Sequence, residues 1–249
     1  MKCLLISLAV VFLSSTTSAQ AASAMDGEAA FLFAYQPRPG QRQQFDAGYR
    51  MHLEWHRQHQ DPLPWYGWYV ATGENAGMFV DGSFGIAFAA FDERVEPAQD
   101  AENLTRTTAA YGDPSYRKVL RLMPRLGTVR PLEDRKPSAQ VEVVTYFVRP
   151  GHTVAFEAGL ERLASAVAGA REFTVYRQLS GGIQPAYLVM FPRDGFGYFD
   201  ESGTSLDAVI RAELEADQER DLLELLARSV RHAHSETWTY REDLSYLPD

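Results

Sequence analysis

Between residues 141 and 148 the chain reads Val-Glu-Val-Val-Thr-Tyr-Phe-Val, a run of β-branched and aromatic side chains that predicts a strand. Pro150-Gly151 ends it. From Thr153 to Ala170 the period changes, and Phe156, Leu160, Leu163 and Val167 fall on one face of a helix. Glu172 to Leu179 and Ala186 to Phe191 predict two strands joined by a turn at Gly181-Gly182. Ser205 to Arg231 predicts one long amphipathic helix with Ser205 or Thr204 as its N-cap, and Glu236 to Tyr240 a last strand. The order is β-α-β-β-α-β.

The first half follows the same order. Ala30 to Tyr35 predicts a strand, Gln41 to His59 a helix, Trp65 to Ala71 a strand, and Met78 to Phe91 an interrupted strand. A second helical region is broken by Gly112-Asp113-Pro114, which a continuous helix accommodates only at a cost. Thr128 to Leu132 then predicts the fourth strand, and Glu133 to Pro137 reads as a linker.

The two halves also match in letters. Tyr35 to Gly48 and Tyr146 to Gly159, 111 residues apart, agree at seven of fourteen positions. Asp81-Gly82-Ser83-Phe84-Gly85 answers Asp194-Gly195-Phe196-Gly197, Phe91-Asp92-Glu93 answers Phe199-Asp200-Glu201, and Asp100-Ala101 answers Asp207-Ala208. Self-similarity of this kind points to an internal duplication.

A βαββαβ unit folds as an antiparallel sheet with both helices on one face. The bare sheet face needs cover, and two copies in one chain can cover each other. The predicted fold is therefore α+β: two tandem ferredoxin-like βαββαβ units, residues 28–135 and 139–249, forming a pseudo-dimeric α+β barrel within one chain. The pattern Tyr-x3-Pro-Gly-x4-Phe, at Tyr35/Pro39/Gly40/Phe45 and again at Tyr146/Pro150/Gly151/Phe156, resembles the opening of dimeric α+β barrel domains, NIPSNAP-like ones in particular. The resemblance implies a fused pair of plaits. Such folds host monooxygenases, haem-degrading enzymes and isomerases, so the resemblance allows an oxygenase-like reaction with haem or without a cofactor, and the cofactor stays unknown.

Composition narrows the partners. The 249 residues are 45% hydrophobic and carry a net charge of −9, which supports a packed core and argues against nucleic acid. At the N-terminus, Lys2, the apolar run Leu4 to Leu13 and Ala19-Gln20-Ala21 read as a signal peptide over residues 1–21, with Ala24 as the alternative cleavage point. The expected product is exported, periplasmic or secreted, with no stable membrane span. The single cysteine, Cys3, is lost with the signal, so thiolate chemistry is excluded from the mature chain.

Comparison of the halves isolates the candidate chemistry. On the helix from Gln41, Phe45, Tyr49, His52 and His56 share a face. Their counterparts are Phe156, Leu160, Leu163 and Val167, an apolar stripe. His52 and His56 thus replace core residues. Trp55, Trp65 and Trp68, three of the four tryptophans, lie close by in sequence. This predicts a pocket with His52 and His56 as catalytic groups and Tyr49, Trp55, Trp65 and Trp68 against a small-molecule ligand. The i, i+4 histidines have metal-binding spacing, but no metal is assigned. The zincin pattern is missing, since Glu54 lies on the helix's other side. Structural histidines, bonded at a helix edge, are the competing reading. No Gly-x-Ser-x-Gly elbow is present. The expected function is a small-molecule-binding protein or enzyme of the α+β barrel type. The alternative is a non-catalytic binding or assembly module.

Overall fold

The computed structural model describes residues 27–128, 137–200 and 205–248. The predicted signal peptide, residues 129–132 of the predicted fourth strand and residues 133–136 of the linker lie outside the described residues.

The first half runs β1 (Ala29–Pro37), α1 (Arg42–Gln58), β2 (Tyr66–Thr72), β3 (Phe79–Ile86), α2 (Pro97–Thr107) and β4 (Gly112–Leu122). The second runs β5 (Gln140–Val148), α3 (Thr153–Ala166), β6 (Thr174–Ser180), β7 (Ala186–Arg193), the helices α4 (Leu206–Glu213) and α5 (Ala216–Ser229), and β8 (Val230–Tyr240). The strands close into one antiparallel barrel in the order β1-β3-β2-β8-β5-β7-β6-β4. Each half contributes four strands in the same spatial order. Two ladders join the halves: β2 on β8, with Trp68 opposite Tyr240, and β4 on β6, with Leu122 opposite Tyr176. Closure leaves no edge strand among the described residues to template association with another chain.

Strand alternation separates an inner from an outer face. Ala30, Leu32 and Ala34 of β1 point inward, where they join Trp68, Phe84, Leu120, Val143, Tyr176, Leu188 and Trp238 in a core fed by all eight strands. Outward residues make two further cores. Phe79 and Tyr69 pack under Phe45, Tyr49 and Leu53 of α1, and Val175, Tyr187 and Val189 pack under Phe156, Leu160 and Leu163 of α3. Phe45 meets Phe79 at 5.4 Å and Phe156 meets Tyr187 at 5.0 Å between ring centroids, so the two helices seat in the same way.

Several expectations are corrected. The fourth strand described in the first half is Gly112–Leu122, ahead of the expected position. Gly112 and Pro114 do not break a helix; they shape a bulged strand. The register of β4 on β1 shifts between Ala34 and Tyr35, where Pro114 sits, and a Cβ on Gly112 would meet the Phe45 ring at 2.6 Å. The long helix predicted from Ser205 is two helices. Glu215 adopts extended backbone and starts α5 with a capping box to Gln218, while Ser205 caps α4 as expected. The last strand begins at Val230 rather than Glu236.

The proposed pairing of Asp81 with Asp194 is overturned by register. Phe33 pairs with Asp81, and its counterpart Val144 pairs with Val189. Asp81 is therefore buried mid-strand opposite an aliphatic in the other half, while Asp194 is exposed beyond the end of β7.

Candidate functional site

The site lies on the outer face of the first half, between β1, β3 and β4 on one side and α1 and α2 on the other. α1 is amphipathic, and its apolar stripe lays Tyr49, His52 and His56 along the sheet. α2 crosses close to α1 because Gly48 has no side chain: a Cβ there would lie 2.0 Å from the Thr107 carbonyl oxygen. This approach brings Asp100 and Asn103 of α2 onto the histidines. α2 itself starts at Glu96, a non-glycine residue at φ 41°, followed by Pro97. A left-handed residue at the entry to the helix carrying Asp100 is local strain of the kind found at functional sites.

Both histidines are buried and doubly engaged. Nδ1 of His52 lies 3.0 Å from Oδ1 of Asn103, and Nδ1 of His56 lies 2.7 Å from Oδ2 of Asp61. The two Nε2 atoms are 3.2 Å apart. Oδ1 of Asp100 is 3.3 Å from Nε2 of His52 and 3.6 Å from Nε2 of His56. Asp61 is fixed by the Trp65 indole N–H at 3.0 Å and the Leu63 amide at 3.0 Å. Burial would raise the Asp61 carboxyl, but the bonds from His56, Trp65 and Leu63 outweigh it and hold it below the ordinary carboxylate value. Burial first, and the neighbouring His56 second, lower His52 to about 4. Burial raises Asp100 against the pull of His56 and Arg94.

A second acid faces the same space. Oδ2 of Asp81 accepts a 2.6 Å bond from the Tyr49 hydroxyl, and its Oδ1 is buried with no hydrogen-bond partner. Burial pushes Asp81 up to about 7, moderated by Tyr49 and by the Arg117 cation and reinforced by Asp100. Asp81 and the histidine cluster line one cavity of about 110 Å³ together with Tyr35, Trp65, Arg94 and Arg117.

Of the sequence-predicted residues, Tyr49, His52, His56 and Trp65 meet at this cavity. Trp55 does not line it; its ring stacks on His59 at 4.1 Å. Trp68 is placed inside the barrel, on the far side of the sheet, because it sits one residue off the outward-facing Tyr69. Asp61, Asp81, Asp100, Asn103 and Arg117 were not singled out as site residues. Asp81 carried a signal, a lone acid in the apolar run Phe79-Val80 on the sheet face that the helix covers. Asn103 carried none: the Asp100/Asp207 match aligns it with Ile210 of α4, but the helix packed on α3 as α2 packs on α1 is α5, where Gly159 meets Leu226 as Gly48 meets Thr107.

Haem, which the family resemblance allows, does not fit this cavity. The cavity is far smaller than the roughly 300 Å³ lower bound of drug-sized pockets, and both Nε2 atoms turn toward Asp100.

No known family profile matches the sequence, and no curated protein matches it. Solved structures share the fold. A monooxygenase-like protein of Lactobacillus acidophilus aligns with a TM-score of 0.54 at 10% identity, over 89% of this chain and 97% of that one. A monooxygenase-like protein of Fusobacterium nucleatum gives 0.56 at 4% identity, over 86% and 92%. A mutant chlorite dismutase from Candidatus Nitrospira defluvii gives 0.52 at 8% identity, over 88% and 94%. The chain thus has the mixed α+β architecture of dimeric α+β barrel proteins, with the eight described strands in a single chain.

Proposed function

We propose that this chain is an enzyme that binds and transforms a small molecule in the first-half cavity, in the manner of oxygenase-like α+β barrel proteins. The observation that carries the reading is the substitution of buried polar groups for core positions. Through the internal alignment and strand register, His52, His56 and Asp81 stand opposite Leu163, Val167 and Val189. All six residues are buried. Exchanging three aliphatic side chains for polar ones sacrifices roughly 1.5–3 kcal/mol of apolar burial at each large site. The first half retains its fold while carrying that loss in one place, around a cavity.

In this reading Asp81 is the proton acceptor. Its free Oδ1 is buried at the cavity, and Tyr49 fixes its other oxygen. An acid poised near neutral pH suits abstraction of a proton from a weakly acidic substrate. Arg117 on the same wall would offset the negative charge formed. His52 and His56 form the opposite polar end, with their Nε2 atoms toward Asp100. The βαββαβ duplication over 28–135 and 139–249 supplies the scaffold: the second copy completes the barrel and keeps an apolar helix face. The Tyr-x3-Pro-Gly-x4-Phe pattern supports a NIPSNAP-like assignment, and the pattern of residues 1–21 supports export.

A thermal-shift and turnover screen of small carboxylic acids, phenols and enolisable ketones tests the site. Compounds that raise the melting temperature of the wild type should lose that effect in Asp81→Asn and Tyr49→Phe, and mass spectrometry should find a product. Hits that stabilise both variants as well as the wild type would place the site elsewhere. A non-catalytic module would show binding with no product. N-terminal sequencing of protein recovered outside the cytoplasm should begin at residue 22 or 25.

A further inference from the structure

His52 Nε2, His56 Nε2 and Asp100 Oδ1 form a triangle with sides of 3.2, 3.3 and 3.6 Å. The other nitrogen of each ring already faces an oxygen acceptor, Asn103 Oδ1 for His52 and the Asp61 carboxylate for His56. Acceptors at those positions require Nδ1–H on both rings, which leaves both Nε2 atoms as bare lone pairs. Asp100 Oδ1 is buried and accepts no hydrogen bond. Three electron-rich atoms therefore face one another with no donor among them.

We propose that His52, His56 and Asp100 hold a divalent transition-metal ion, with Zn²⁺ the best match, at the end of the cavity. The proposal deepens the pocket reading and rests on it for the ion's role. The three groups are able to converge on one ion. Zinc bonds of about 2.0–2.1 Å at tetrahedral angles put ligand atoms roughly 3.3–3.4 Å apart, whereas octahedral neighbours would stand near 3.0 Å. The observed triangle matches the first. Two imidazoles select zinc and its neighbours over magnesium and calcium, which prefer oxygen. The outer partners are also of the right kind: Asp61 and Asn103 each fix a ring by its Nδ1–H, the arrangement that sets ligand orientation at metal sites. Three protein ligands leave one position free, and the cavity shared with Asp81 and Tyr49 is where it opens. An ion there would supply a Lewis acid for the substrate's electron-rich group.

The competing occupant is a proton shared by the two rings. Untagged protein, stripped with EDTA and dialysed, is titrated calorimetrically with Zn²⁺ alone. One ion per chain is expected. Asp100→Asn should weaken Zn²⁺ binding at least about 100-fold, since loss of an outer-shell partner alone costs about 10–100-fold. Substitution of the other close histidine pair, His232→Gln with His234→Gln, should leave it unchanged. Co²⁺ in place of Zn²⁺ should give the intense visible bands of a four-coordinate ion, and weak six-coordinate bands would overturn the site even if Asp100→Asn did not fold. Absence of binding by stripped wild type, as for a shared proton, would sink the proposal, as would affinity kept in Asp100→Asn or lost with His232 and His234. Zn²⁺ binding without Asp81-dependent hits in the small-molecule screen would uphold the ion and sink the pocket reading. Hits without Zn²⁺ binding would sink the ion alone.

Discussion

Asp81→Asn should stabilise the protein at neutral pH and above, by an amount that vanishes in acid. The buried carboxyl is held up to about 7, with burial the main cause, against about 3.8 for the same group exposed in the unfolded chain. Below pH 4 both states bind the proton and the group costs nothing. As the pH rises from about 4 to about 7 the unfolded chain releases its proton while the folded chain keeps it, so stability is lost across that window. Above about pH 7 the loss is complete. Three pKa units correspond to about 4 kcal/mol. Asparagine keeps the shape and can still accept the Tyr49 hydroxyl, but it never has to ionise. Urea unfolding followed by tryptophan fluorescence, with excess EDTA at each pH from 4 to 8.5, gives the variant-minus-wild-type difference, in which the other titrating groups cancel to first order. The difference should climb by several kcal/mol with pH and then level off. A flat difference would show that Asp81 ionises as readily folded as unfolded, and that the cavity is wetter than its geometry implies.

Other consequences are open to direct measurement. Phe45→Ala and Phe156→Ala should each cost about 3–5 kcal/mol in chemical denaturation, since both rings are fully buried between helix and sheet; losses below about 1 kcal/mol at both would mean the helices are misplaced. Gly48→Ala should drive a methyl group into the Thr107 carbonyl, separate α2 from α1 and weaken Zn²⁺ binding in protein that is still folded; unchanged affinity would contradict that helix contact. Trp65→Phe together with Trp55→Phe should remove most of any fluorescence change caused by Zn²⁺, because their rings lie 5.1 and 5.2 Å from that of His56, whereas Trp68→Phe should not. The opposite result would exchange their assigned places.

Much of the architecture was legible because it is written in local periodicity. Alternation in Val141 to Val148 and the 3.6-residue spacing through Phe45 and Phe156 depend only on neighbours along the chain, and the repeat shows both halves spelling the same element order. The outlier histidines emerged the same way, as two polar letters on a stripe that is apolar in the other half. Boundaries failed where a residue's role is set by what it packs against. Gly112 and Pro114 read as helix breakers, but the Phe45 ring and the bulge opposite Ala34 make them parts of a strand. Glu215 restarted a helix that periodicity alone carried through. The site's composition was a tertiary decision. Asp61, Asp81, Asp100 and Asn103 come from a loop, a strand and a second helix, and no spacing in the sequence relates them to His52 and His56. Strand register assigned Asp81 to the helix-covered face and Trp68 to the barrel interior, and the missing side chain at Gly48 let α2 deliver Asp100 to the histidines. Periodicity is a property of one segment, whereas the convergence of charges is a property of how segments dock.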